Sequence, residues 1–281
     1  MQFGDYDCST VVMDSFLLDG GAMFGVVPKK LWEKEIPADS ENRIPLTSRS
    51  LVIRGRGRVI LVDNGVGDKL PARFKKIYGI AVSAQSMDER LAPLSLSAAD
   101  ITDVILTHLH FDHAGGSTIL AGGKVRPTFP NAAYHVQKSQ WDLACHPSLR
   151  DRSSYIPDNF LPLLEHSVLN LLDGPVDDFF EGIDLIVTNG HTAGQQHPLI
   201  SGPGRSLFFC ADLIPTAAHL PIPWHMAYDN HPIGIMDEKA AFLNRAVAEN
   251  WILCFEHDPV TAAASIRKDG QKIVMDQAVF L

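Results

Sequence analysis

The chain has 281 residues, 46% hydrophobic and 20% charged, with a formal net charge of −9. This is the balance of a water-soluble globular protein long enough to bury a large core. The negative charge argues against a nucleic-acid binder relying on clustered Lys and Arg, and no apolar run approaches the roughly eighteen residues of a membrane span.

From the N-terminus, Met1 to Asp7 is acidic and lacks the apolar core of a signal peptide. Short apolar runs follow at 50–54, 59–63, 104–107, 133–136, 185–188, 207–210 and 251–255. Each is four or five residues rich in β-branched or aromatic types, the length and composition of a buried strand. Residues 265–274 read as a hairpin turning at Asp269-Gly270. Helices are expected at 67–78, 138–144 and 237–250, the last with Ala240, Ala241, Phe242, Leu243, Ala246 and Val247 on one apolar stripe. Segments 22–49 and 212–236 read as long irregular loops, dense in Pro, Gly, Met, Trp and His; loops of that length in a compact domain usually serve function. No repeat or linker divides the sequence, so one α/β domain over 1–281 is expected. Cys8, Cys145, Cys210 and Cys254 are scattered without a CxxC pair, which points to reduced thiols and a cytoplasmic location.

The chemistry concentrates in Thr107-His108-Leu109-His110-Phe111-Asp112-His113-Ala114-Gly115-Gly116, directly after the strand expected at 103–106. In extended chain, His108 and His110 would point to the same side. Asp112 and His113 would follow in the next turn, and Gly115 and Gly116 would let backbone approach closely. Three imidazoles and a carboxylate within six residues are donors that zinc, iron or manganese prefer. Three more such residues, His191, Asp212 and His257, each stand just beyond an apolar run. Strand ends of α/β folds are where sites generally form.

The motif HxHxDH with His191, Asp212 and His257 resembles the metallo-β-lactamase superfamily, over essentially the whole chain. That resemblance implies a four-layer αββα sandwich. It assigns His108, His110 and His191 to one divalent cation, Asp112, His113 and His257 to a second, and Asp212 to a bridge between them. Zinc is the expected metal, with manganese, iron and cobalt acceptable to the same donors. A dinuclear centre implies hydrolysis by a metal-bridging hydroxide, since metals bring the pKa of water from about 15.7 to about 7. Asp112 is implied as a proton carrier to the leaving group. Asp63 resembles the family's aspartate that orients a ligand histidine, although a turn aspartate before Asn64-Gly65 is an equal reading.

Within the superfamily, only 24 residues follow His257, too few for the helical region of glyoxalase-type thioesterases. No basic exosite marks a nuclease. Asp212 stands where most true β-lactamases carry cysteine, with Cys210 expected to face the core. His110 and the chain length disfavour the flavin-linked diiron reductases. The small-molecule lactonase and organophosphate hydrolase branch remains, and segments 20–32 and 211–220 resemble its loops. Met23, Phe24, Trp32, Trp224 and Met226 are the candidates for pocket lining, with core packing the alternative for each.

Two departures stand out. His191-Thr192-Ala193-Gly194-Gln195 lacks the family's usual second histidine, and no Tyr stands three residues after Asp212. Tyr228 is the candidate to stabilise the oxyanion instead. His219, His225 and His231 read as surface or pocket-rim positions rather than a third metal site. The expected substrates are lactones or related small esters, acyl-homoserine lactones among them. The alternatives are a phosphotriesterase, arylesterase or phosphodiesterase on the same centre, or a non-catalytic metal-binding protein. A homodimer is implied by the resemblance alone.

Overall fold

The structure, a computed structural model, describes residues 1–80 and 85–281. In chain order the first strands are β1 (Gln2–Phe3), β2 (Tyr6–Asp19), β3 (Arg43–Gly55), β4 (Arg58–Val62), β5 (Asp103–Ile105), β6 (Thr118–Ala121), β7 (Lys124–Pro127) and β8 (Ala133–Gln137). Then come β9 (Leu169–Leu172), β10 (Val176–Phe180), β11 (Ile183–Thr188), β12 (Gln195–Ile200), β13 (Ser206–Phe209), β14 (Trp251–Cys254), β15 (Ala263–Asp269) and β16 (Lys272–Val279). The helices are α1 (Gly20–Phe24), α2 (Lys29–Trp32), α3 (Ala72–Ile77), α4 (Met87–Leu91), α5 (Phe111–Ala114), α6 (Lys138–Cys145), α7 (Pro157–Glu165) and α8 (Pro232–Ala248). One seven-stranded sheet runs β1-β2-β3-β4-β5-β8-β9 and a second runs β10 to β16 in chain order. Both are mixed, and helices accompany both, which is the α/β class that the apolar runs imply. No helix among the described residues is long and apolar enough to cross a membrane.

The chain forms two compact units, each drawn from separated stretches: Tyr6–Asp14 with Ser48–Gly174, and Met1–Asp5 with Ser15–Thr47 and Pro175–Leu281. In the first, β4, β5, β8 and β9 are parallel neighbours. Val52, Leu61, Val104, Leu106, Tyr134 and Val136 build its core with Trp141 of α6 and Phe160 of α7, whose rings meet edge to face at 5.5 Å. In the second, α8 packs on β14 and β15. Phe208 there stacks between Trp251 and Phe242, at 5.2 and 5.6 Å. Truncating such a buried aromatic costs about 3–5 kcal/mol.

All seven apolar runs become strands, and Asp269 pairs with Lys272 across a turn in which Gly270 takes φ +59°. Three expectations shift. Helix α8 starts at Pro232 rather than 237, because proline at the first helical position loses no hydrogen bond. The segment 67–78 is helical only over α3, and Arg43 to Arg49 of the expected loop 22–49 already belongs to β3. Strand β2 lies outside the expected runs because Asp7, Ser9, Asp14 and Ser15 interrupt its apolar residues. Helix α7 is masked by Pro162 in its interior.

Strand β12 is buried along its whole length although it reads Gln195-Gln196-His197-Pro198. His197 lies 3.2 Å from Phe209 O through Nδ1 and 2.8 Å from Thr188 Oγ1 through Nε2, the partners of a neutral ring. Burial depresses its pKa from 6.5 to about 4. Between those values the unfolded chain binds a proton that the fold refuses, so stability falls as pH drops from 6.5 toward 4. One such histidine contributes about 1.4 kcal/mol per pH unit. Denaturant melts of metal-stripped His197→Gln at pH 6.5, 5.5 and 4.5 should show a pH slope shallower by that amount; an unchanged slope would sink the assignment.

Candidate metal centre

In the unit containing Ser48–Gly174, the motif begins as β5 ends. The strand stops at Ile105, one residue short of expectation, and His110 already takes the N-cap position of α5. His108 and His110 nonetheless converge, with His108 Nε2 3.0 Å from His110 Nδ1. The ordering group is Asp63, fully buried just past β4 with φ +52°, a backbone region Asp tolerates better than most residues. Its Oδ1 accepts from the Thr107 backbone N–H at 2.7 Å. Its Oδ2 accepts from the Thr107 hydroxyl at 2.6 Å and lies 3.0 Å from His113 Nδ1.

These contacts fix two tautomers. His113 donates from Nδ1 to Asp63. The Thr107 hydroxyl donates its hydrogen bond to Asp63, so at 3.0 Å it accepts from His108 Nδ1. Both rings are left with the lone pair on Nε2, the form a metal ligand needs. Asp112 is buried beside them, its Oδ1 3.9 Å from His113 Nε2 and its carbonyl accepting from Ser48 Oγ at 2.5 Å. Tyr155 and His110 are in ring contact at 4.8 Å.

The other unit carries His191, Asp212 and His257. Asp212 lies in a 3₁₀ turn just after β13, where Ala211 takes φ +41°. His257 follows β14, its backbone N–H donating to Pro215 O at 3.0 Å. His257 Nδ1 stands 2.7 Å from Thr47 O, and His191 Nδ1 stands 2.8 Å from Asp229 Oδ1. Both acceptors require Nδ1–H. Yet His191 Nε2 is 3.1 Å from Asp212 Oδ2, and His257 Nε2 is 3.0 Å from Asp212 Oδ1. With both rings neutral, two imidazole lone pairs face the two oxygens of one buried carboxylate. That arrangement repels unless positive charge stands among them, which is what a divalent cation supplies. Asp229 itself is fully buried; burial pushes its carboxyl up, but bonds to His191 and His225 outweigh this and hold it below the usual range. Sequence reasoning missed Asp229; its only signal is an acidic residue shortly before α8.

The remaining candidates divide. Phe24 stacks on Trp32 at 5.3 Å and on His219 at 4.5 Å, with Trp224 edge-on at 5.6 Å. Met23, Phe24, Trp32 and Met226 are at most 2% exposed, so they form packed core and offer almost no surface to a ligand. Trp224 is partly exposed and lines a cavity of about 650 Å³ together with Ile36, Leu220 and Met275. Tyr228 is 40% exposed, two residues before Asn230, whose backbone N–H donates to His191 O. His219 is not at the surface: its ring is fully buried, 2.8 Å from both Met23 O and Thr216 Oγ1, and burial lowers its pKa to about 4. His225 is part-buried and His231 exposed. Cys210 is enclosed in core, and burial raises its thiol pKa well above normal, which makes it inert. Gln195 turns its amide to Thr188 Oγ1 and His197 Nε2.

Behind the motif, Gly116 N–H donates to Gly65 O at 3.1 Å. A Cβ on Gly115 would stand 2.0 Å from Val66 O, a backbone atom that cannot swing aside. Gly115→Ala should therefore destabilise the protein by about 3 kcal/mol, the upper end for overpacking. Gly234→Ala in α8, whose Cβ would meet nothing nearer than 3.6 Å, should stabilise by about 1 kcal/mol. Denaturant melts of both variants check this, and shifts of the same sign would contradict it.

The sequence matches the metallo-beta-lactamase superfamily over residues 43–257. A probable metallo-hydrolase of Mycobacterium tuberculosis is 28% identical over 190 residues, 60% of this chain and 57% of that protein. The N-acyl homoserine lactonase AiiA of Bacillus thuringiensis subsp. kurstaki is 31% identical over 146 residues, 49% of this chain and 51% of that protein. The chain thus spans about half the length of the curated relatives it matches. Among solved structures, that of a probable metal-dependent hydrolase from Staphylococcus aureus is 29% identical with a TM-score of 0.89, covering 99% of this chain and 100% of the other. With the family match spanning most of its length and this shared fold, the chain belongs to the metallo-beta-lactamase superfamily.

Proposed function

We propose that the chain is a dinuclear metal-dependent hydrolase that opens lactones, N-acyl-homoserine lactones among them, or cleaves related small esters. The observation that carries the metal reading is the Asp212 carboxylate with an imidazole Nε2 lone pair facing each oxygen. His108, His110 and His191 would hold one cation, Asp112, His113 and His257 the other, and Asp212 would serve both, as the family pattern implies. Zinc suits this nitrogen and oxygen donor set. Cations held there would supply acidification of a water and polarisation of the scissile carbonyl.

The protein's own groups supply the rest. Asp63 and Asp229 hold His113 and His191 in the tautomer that exposes Nε2, so no reorganisation is needed on binding. Asp112 carries a proton to the departing alkoxide, which becomes the new hydroxyl of the opened lactone. The Tyr228 hydroxyl donates to the oxygen on which negative charge develops. Trp224 gives an acyl chain apolar surface, backed by the packed Phe24 and Trp32. The lactone assignment draws on the AiiA relationship and on the resemblance of segments 20–32 and 211–220 to the loops of the lactonase branch. Four cysteines, none in a disulfide among the described residues, support a reducing, cytoplasmic compartment.

Proton release measured against short- and long-chain acyl-homoserine lactones, an aryl ester, a phosphotriester and a phosphodiester tests the reading. With zinc restored, lactone turnover should exceed all others and vanish after chelation. Asp212→Ala should lower it by more than about 100-fold, beyond the cost of losing an outer partner. Turnover confined to the phosphoesters would overturn the lactone assignment; none on any substrate would favour a metal-binding role without catalysis.

A further inference from the structure

Asp229 uses both carboxylate oxygens. Oδ1 lies 2.8 Å from His191 Nδ1, and Oδ2 accepts from the backbone N–H of Met226 at 2.8 Å, with His225 Nδ1 at 3.6 Å. The backbone closes the same junction: Asn230 N–H donates to His191 O at 3.0 Å and His231 N–H to Gly190 O at 2.8 Å. A Cβ on Gly190 would stand 2.5 Å from the Ile235 backbone, so the first turn of α8 presses directly against the residue before His191. One buried carboxylate thus grips the imidazole on one side and the segment bearing Met226 and Tyr228 on the other.

We infer that Asp229 is a positioning residue: its carboxylate locks His191 as the Nδ1–H tautomer with Nε2 turned to the metal, and ties that ligand to the 226–231 segment. Affinity for the metal and the placement of Tyr228 are then set by one group. This rests on the metal-centre reading above. In Asp229→Asn the amide can satisfy His191 or the Met226 N–H with its oxygen, but its NH₂ must face the other donor. The substitution therefore breaks the double grip with almost no change in volume.

The test is the zinc dissociation constant, measured by competition with a chelating dye on folded protein and without any substrate. Outer partners of metal-bound histidines are worth about 10–100-fold in metal affinity. Asp229→Asn should weaken zinc binding within that range. His225→Gln, which alters only the far side of the carboxylate, should stay within about two-fold of the parent, below that range. A merely structural Asp229 would lower the stability of the metal-stripped chain and leave zinc affinity unchanged; that outcome in folded Asp229→Asn overturns the inference. If the parent protein itself binds no zinc, the metal reading falls instead. A second readout needs no Asp229 variant. Zinc-loaded parent protein should show a slowly exchanging, strongly downfield His191 Nδ1 proton by NMR, assigned by its loss in His191→Gln, and its absence counts against the lock.

Discussion

A neutral imidazole offers a lone pair on only one nitrogen, and which one is settled by what the other nitrogen touches. Among the five candidate ligand histidines, Nδ1 of four meets a fixed oxygen: Thr107 Oγ1 for His108, Asp63 for His113, Asp229 for His191 and the Thr47 carbonyl for His257. Each contact leaves the lone pair on Nε2. Around Asp212 two such lone pairs sit against carboxylate oxygens, an energetic conflict that a cation resolves. Much of the surrounding structure maintains that arrangement.

The backbone bears the cost. Asp63 and Ala211 hold positive φ beside the groups they serve, and strained positions of this kind cost about 1–3 kcal/mol each. For Asp63 the return is visible, since from that position one carboxylate accepts from Thr107 twice and from His113, ordering two candidate ligand histidines. Gly115 and Gly116 allow the chain leaving the motif to lie against Val66 and Asn64 at a distance no side chain permits. Buried β12 shows the same economy away from the centre: His197 is tolerated there because Thr188 Oγ1, the Gln195 amide nitrogen and the Phe209 carbonyl meet its ring nitrogens.

The sequence made some of this legible. Seven short β-branched or aromatic runs sufficed for seven strands, since strands buried on both faces read as continuous apolar stretches. The histidine-rich motif was legible because its donors sit within six residues. Strand β2 was not, since alternating polar residues broke the run, and neither was α7, since proline at two positions hid its helical start and interior. Asp229 was out of reach for a different reason. Its role depends on a contact 38 positions away in the chain, which no local pattern encodes. The aromatic residues of segment 20–32 show the opposite limit: composition marked Phe24 and Trp32 as candidates, but only packing reveals that Phe24 stacks on both Trp32 and His219.

The most direct test is a metal count. Protein stripped with a chelator, reloaded with zinc and dialysed exhaustively should retain two zinc ions per chain by elemental analysis. Asp212→Ala, folded as judged by circular dichroism, should retain fewer. Two ions lost with the removal of one shared carboxylate would place Asp212 between them, as the account requires. Less than one ion on the parent protein, or full retention in the variant, would contradict it.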